Sequence, residues 1–189
     1  MAPIIRQSHD SPGTVECIPA CFGIVPHWAD IKLARQTYNA RTETVADKPS
    51  FRNAWKRKQV CIIPADNFFE PNYATGKPIR WRISHAAESP LGIAGIWEWN
   101  ANGPDGLPLL SFSMLTVNAT EHALMSQFHK SGDEKRMVVI LEPPKYDRWL
   151  QGDLMSSEEV YRPYPAHQLI AFPDPLPPRS KTKDVRIAA

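Results

Sequence analysis

Apolar and β-branched residues recur along this chain in short runs of strand length, set apart by proline, glycine and asparagine. The pattern predicts strands near residues 18–25, 60–63, 68–70, 79–84, 92–99, 109–117, 137–141 and 169–172. Three segments repeat with a helical period instead: residues 50–58, where Ser50 is a candidate N-cap and the outer face is basic, then 120–128 and 145–150. The stretch Asn100-Ala-Asn-Gly-Pro-Asp-Gly106 joins two strong strand signals and reads as a hairpin connection, which implies antiparallel neighbours. Strands and helices do not alternate regularly. The expectation is a single α+β domain on a curled antiparallel sheet, with a few short peripheral helices. Residues 1–162 are expected to form its core. The proline-dense residues 163–189 are expected to add a C-terminal strand to the same domain and to end in an extended, loosely ordered arm.

Composition narrows the options. A chain of 189 residues, 42% of them hydrophobic, can bury one substantial core. Nineteen prolines against nine glycines favour loops and strand ends over long helices. A formal net charge of +2 is too small to hold duplex DNA by charge alone, so any nucleic-acid site has to be local. No apolar run of about 18 residues occurs, nor a basic-then-apolar leader, and the expectation is a cytoplasmic protein without membrane contact. Cys17, Cys21 and Cys61 are odd in number and read as reduced thiols. Cys17-x3-Cys21 with His27 supplies too few ligands for a structural zinc, so neither metal nor cofactor is expected.

A few positions stand out chemically. Glu70 ends an apolar strand before Pro71, where a carboxylate is partly desolvated and able to exchange protons, although an exposed strand-end carboxylate is the commoner case. His129 follows a short amphipathic segment and precedes a charged turn; imidazole suits proton shuttling, but a lone histidine is more often a surface or core residue. Asn39 and Arg41 alternate on an extended segment and so share a face, an amide beside a guanidinium, unless they are a turn asparagine and a solvated arginine. Trp28 lies in a proline-interrupted loop, where it could stack on a base or close the core. Trp55, Trp81, Trp97, Trp99 and Trp149 read as core, and Asn118 as either a DNA contact or a helix cap.

The segments Asn39-Ala-Arg-Thr-Glu43, Cys61-Ile-Ile-Pro-Ala-Asp-Asn-Phe-Phe-Glu70 and Phe128-His129-Lys-Ser-Gly-Asp-Glu-Lys-Arg136 resemble, in order, the SRAP family of SOS response-associated peptidases. The resemblance implies a barrel-like architecture and a function in the DNA damage response: recognition of abasic sites in single-stranded DNA and their covalent capture as a thiazolidine, by peptidase- and lyase-type chemistry. It implies Glu70, His129 and Asn39 as catalytic residues and Arg41, Trp28 and Asn118 as DNA contacts. The family's nucleophile is a cysteine exposed by removal of the initiator methionine. This sequence begins Met1-Ala2-Pro3-Ile4-Ile5-Arg6, similar to a segment some tens of residues inside the family chain, so the expectation is a truncated start or a natural variant. The alternative is a non-catalytic module that binds single-stranded DNA. A metal-dependent hydrolase using His122 and His129 lacks a closed ligand set. The protein is expected to act as a monomer.

Overall fold

The structure, a computed structural model, describes residues 1–177 apart from Pro12, and of Asp105 only the backbone. Eleven strands and two short α-helices follow in the order β1 (Ala2–Gln7), β2 (Val15–Phe22), β3 (Asn39–Arg41), α1 (Arg52–Lys56), β4 (Val60–Ala65), β5 (Asn67–Asn72), β6 (Ile79–His85), β7 (Leu91–Asn100), β8 (Leu109–Asn118), β9 (Arg136–Val138), β10 (Ile140–Leu141), α2 (Tyr146–Leu150) and β11 (Leu169–Pro173). The expected α+β class is borne out as one sheet-rich domain with few short helices.

Five strands close a ring. β1 pairs with β2, β2 with β8, β8 with β7, β7 with β4, and β4 returns to β1 through Ile5↔Ile62. The sheet is mixed: β2 and then β3 both run parallel to β8, at Cys21↔Ser111 and Asn39↔Met114. β3 thus continues the line of β2 along β8 after the intervening loop. β7 and β8 pair only from Gly95↔Met114 to Asn100↔Leu109. Beyond that point they separate, and β9 takes the vacated edge of β8 while β10 takes that of β7. Val139 bridges the bend, its N–H donating to Leu115 and its carbonyl accepting from Ala94, at 2.9 and 2.8 Å. The run expected as one strand over 137–141 is therefore two, because it serves two diverging neighbours. A second sheet, β11-β6-β5, is antiparallel throughout.

The core includes Ile4, Ile62, Ile93, Ile96, Phe112, Leu115, Met137 and Trp149, all nearly inaccessible to solvent. α2 packs on β4, with the Trp149 indole donating to the Cys61 carbonyl at 2.9 Å. Burial pushes the Cys61 thiol far up, so it is inert. Cys17 is exposed, and Cys21, despite its apolar strand pattern, is half-buried; all three are free thiols. Trp99 is also a departure, being half-exposed at the end of β7 rather than in the core. α1 begins one residue beyond Phe51, and Ser50 makes no cap.

Two expectations fail for local reasons. β1 went unread because its apolar run is short and opens on Ala2-Pro3; Pro3 faces Pro19 across the ladder, where neither has an N–H to give. Residues 120–128 form no α-helix, only a 3-10 turn at Met125–Gln127. The buried His122 ring takes the backbone N–H groups of Leu124 and Met125, and Asn118 takes that of Thr120, so side chains displace helical hydrogen bonds. The expected loose arm beyond residue 177 lies outside the described residues. Among the described residues no helix is long and apolar enough to cross a membrane.

The loop between β2 and β3 matters most, since it sets where Asn39 begins. Gly23 has φ +99° and lies against Ala34, whose backbone carbonyl a Cβ would strike. Its N–H donates to Phe112 at 2.8 Å, and Val25 donates to the Ser111 hydroxyl at 3.0 Å. Gly23→Ala is expected to destabilise the fold by more than about 1 kcal/mol, because the left-handed backbone and the missing space both oppose it. A urea transition with an unchanged slope and a lower midpoint is the predicted reading; an unshifted midpoint counts against it.

Candidate active site

The ring opens at one end into a groove of about 750 Å³. Its wall follows from strand alternation: Ile63 and Ala65 on β4, and Phe112, Met114 and Thr116 on β8, lie two residues apart and face the same way. Phe22 and Tyr38 add an exposed aromatic rim, with Phe22 stacked on Phe112 at a centroid separation of 5.1 Å. The small sheet supplies Asn67, Phe69 and Glu70, and the segment before β9 supplies His129.

Glu70 and His129 meet in this groove. Nε2 of His129 lies 3.1 Å from Oε2 of Glu70, and both side chains are largely shielded, with 22% and 17% exposure. The contact is made from a strained backbone. His129 has φ 65°, a left-handed conformation uncommon for a residue with a side chain. Its N–H donates to the Pro71 carbonyl at 2.9 Å, Phe128 bridges to Asn72, and the Asn72 side chain reaches the Gln127 carbonyl. Lys135 clamps the other side, its Nζ donating to the carbonyls of His129 and Lys130 at 3.1 and 3.0 Å. Strain of this kind persists where surrounding contacts enforce it, and it concentrates at functional sites.

Asn39 and Arg41 line the same groove from β3, sharing a face as expected. Arg41 Nη1 lies 2.8 Å from Glu134. Glu134 also pairs with Arg136 at 2.7 Å, and Arg136 takes Glu43 through both of its terminal nitrogens and donates to the Thr116 carbonyl. Two arginines and two carboxylates thus form one rim network that ties β3, β8 and β9 together. Asn118 is not in the groove; its side chain caps the Thr120 turn and touches Glu134 at 3.2 Å. Trp28 is exposed but does not line the groove. His122 is committed to the Tyr164 carbonyl at 2.7 Å and to backbone donors, and among the described residues no group of three potential ligands could hold a metal.

A family model described as SOS response associated peptidase (SRAP) matches residues 1–173. The chain belongs to the SRAP family. It is 35% identical over 157 residues to the abasic site processing protein YoqW of Bacillus subtilis, a span covering 80% of this chain and 66% of the relative. To the abasic site processing protein HMCES of Gallus gallus it is 25% identical over 191 residues, covering 89% of this chain and 54% of the relative. The chain therefore spans about half to two thirds of the length of these curated relatives. A crystal structure of a Bordetella bronchiseptica protein superposes with a TM-score of 0.81 at 35% identity, covering 93% of this chain and 84% of that one. A Bacteroides thetaiotaomicron protein gives 0.72 at 26%, covering 90% and 72%.

Sequence reasoning gave no role to Arg136 and the aromatic residues Phe22, Tyr38 and Phe69, which line the SRAP groove, nor to Glu43 and Glu134, which pair with Arg136 at its rim, nor to Lys135, which holds the His129 carbonyl. Charge clustering in residues 133–136 was the available signal, but nothing in the sequence says that Arg136 turns back to Glu43. Burial pushes the Glu43 carboxyl up, yet hydrogen bonds and charge from Arg136, with Arg41 adding, outweigh it and hold the group below its ordinary 4.5. A depressed carboxylate stabilises the folded state above its unfolded pKa, and that contribution disappears as pH falls through the folded value. Wild type is therefore expected to exceed Glu43→Gln in stability at neutral pH, with the gap closing below 4.5. Urea unfolding from about pH 7 to about pH 3 reads this; a gap independent of pH means that the pair does not titrate with folding.

Proposed function

We propose that this protein processes abasic sites in single-stranded DNA, seating the lesion's sugar in the groove between Glu70, His129 and Asn39 as part of the DNA damage response. The observation that carries the reading is the Glu70–His129 pair, held at 3.1 Å by a strained turn and facing an amide and a guanidinium across a groove of nucleotide dimensions. Similarity to relatives named abasic site processing proteins supports the choice of substrate.

An abasic deoxyribose is a cyclic hemiacetal. Opening it requires removal of the anomeric hydroxyl proton and delivery of a proton to the ring oxygen, after which the C–O bond breaks and an aldehyde is left. Adjacent carboxylate and imidazole groups can do both, one as base and the other as acid. Asn39 offers two N–H donors and a carbonyl to orient the reacting group. Arg41, 58% exposed at its side chain, faces outward where a phosphate can exchange for Glu134. Phe22 and Tyr38 give bases a surface on which to stack. An abasic sugar is reached most readily in a single strand, where no pairing has to be broken.

In the mechanism the family resemblance implies, an N-terminal cysteine then attacks. Its amine condenses with the aldehyde to an imine, releasing water, and its thiol adds to the imine carbon to close a thiazolidine. The second reading is noncovalent binding alone, which the aromatic rim and Arg41 favour. One experiment separates the two: a chain extended at its N-terminus by a Met-Cys segment from a relative is followed in single-turnover crosslinking to abasic single-stranded DNA. Glu70→Gln is expected to slow capture on the order of 10²–10⁴-fold, the usual contribution of a general acid–base group, and His129→Ala to impair it as well. Unchanged rates in both variants remove the pair from the chemistry. Retained binding without any crosslink selects the noncovalent reading.

A further inference from the structure

The small sheet has an unusual outer face. In an antiparallel sheet covered on one side, the solvent side is expected to be polar. Here the register places Phe69 of β5, Arg82 of β6 and Phe172 of β11 in one cross-strand row, Phe69↔Arg82↔Phe172. Directly paired residues project from the same face, and all three are exposed, with the two phenylalanines at 44% and 49%. The opposite face carries the buried Phe68 and Ile83. Two half-exposed rings thus stand on the solvent side of the sheet, away from its core.

Cations accompany the rings. The Arg80 guanidinium lies over the Phe69 ring at 4.2 Å, and its charge is met by Asp174 at 2.8 Å. Arg82 makes no ion pair among the described residues, which leaves the row with one uncompensated positive charge. Phe69 is also a wall residue of the groove that contains Glu70 and His129, so the row starts at the groove edge and runs outward across three strands. Neighbouring strands are about 4.8 Å apart, which separates the two rings by about 10 Å with a guanidinium between them.

We propose that this face is a stacking platform for single-stranded DNA flanking the lesion, with Phe69 and Phe172 each taking a base and Arg82 the intervening phosphate. The inference rests on the abasic-DNA reading of the groove and extends it to where the strand goes on leaving. Aromatic side chains set in a cationic surface are how sequence-tolerant single-strand binders hold their ligand, since every base offers a π-face. Continuity with the groove and a net positive row favour a nucleic-acid strand over a second copy of the chain, which would bring positive charge against positive charge.

The test measures equilibrium binding of the full chain to two fluorescent oligothymidylates carrying a central tetrahydrofuran abasic analogue. One is about 5 nucleotides, long enough for the groove alone, and the other about 15, within the site sizes of single-strand binders. Phe172→Ala is expected to lose at least about fivefold on the long strand, the low end of what one base–aromatic contact contributes, and Arg82→Ala to weaken the long strand and reduce its salt slope by about 0.7, while both match wild type on the short one. Phe172→Tyr, which keeps the ring, is expected to retain binding. Arg41→Ala is expected to weaken both strands. If Arg41→Ala weakens binding while both platform variants bind the long strand as wild type does, the platform proposal is overturned and the groove reading stands. If wild type binds neither strand, the groove reading falls and takes the DNA platform with it. Should Phe172→Ala convert a sedimenting dimer to monomer without changing DNA affinity, the face joins copies of the chain instead. Arg82→Ala alters only an exposed side chain, so its result holds even if Phe172→Ala loosens the edge strand.

Discussion

A single left-handed residue holds the site together. His129 meets Glu70 from a left-handed backbone, with φ 65° just past the 3-10 turn. Such a conformation costs of order 1–3 kcal/mol. Contacts on both sides offset it: the Pro71 carbonyl and the Asn72 bridge from the small sheet, and the Lys135 ammonium from the segment that follows. The same contacts join the small sheet to the segment that enters the ring, so the geometry of the Glu70–His129 pair and the relation of the two sheets are one constraint.

The groove results from the ring's unequal pairing. Because β7 and β8 part beyond Gly95↔Met114, a bent segment enters between them and brings Arg136, Met137 and Val138 to the groove wall. Because β3 follows β2 along β8, Asn39 and Arg41 arrive on the same wall from the opposite direction in sequence. The arginines that result are balanced. Glu43 and Glu134 pair with Arg136 and Arg41, so the rim's two positive charges are matched by two carboxylates.

How much of this was legible in the sequence depended on the range of the interaction. Strands such as 92–99 and 109–117 were plain because alternation and β-branched content are local, and the observed elements extend each by one or two residues. Asn39 and Arg41 were correctly placed on one face for the same reason. Residues 120–128 misled because a helical period was present while His122 and Asn118 had better uses for the backbone donors. Glu70 and His129 were singled out through family resemblance, since no local pattern states that residues so far apart meet. The parallel pairing of β2 with β8, the Glu43–Arg136 pair and the Phe69–Arg82–Phe172 row are consequences of long-range register, and a one-residue slip of any partner strand would abolish them.

The central claim is that the groove recognises a missing base, beyond holding a strand. Its most direct test is the affinity of the chain for a single strand bearing one abasic site against the same strand with an intact nucleotide at that position, measured at one fixed salt concentration. The account predicts tighter binding to the abasic strand, and loss of that preference in Asn39→Ala with binding to the intact strand preserved. Equal affinity of the wild-type protein for the two strands would contradict it.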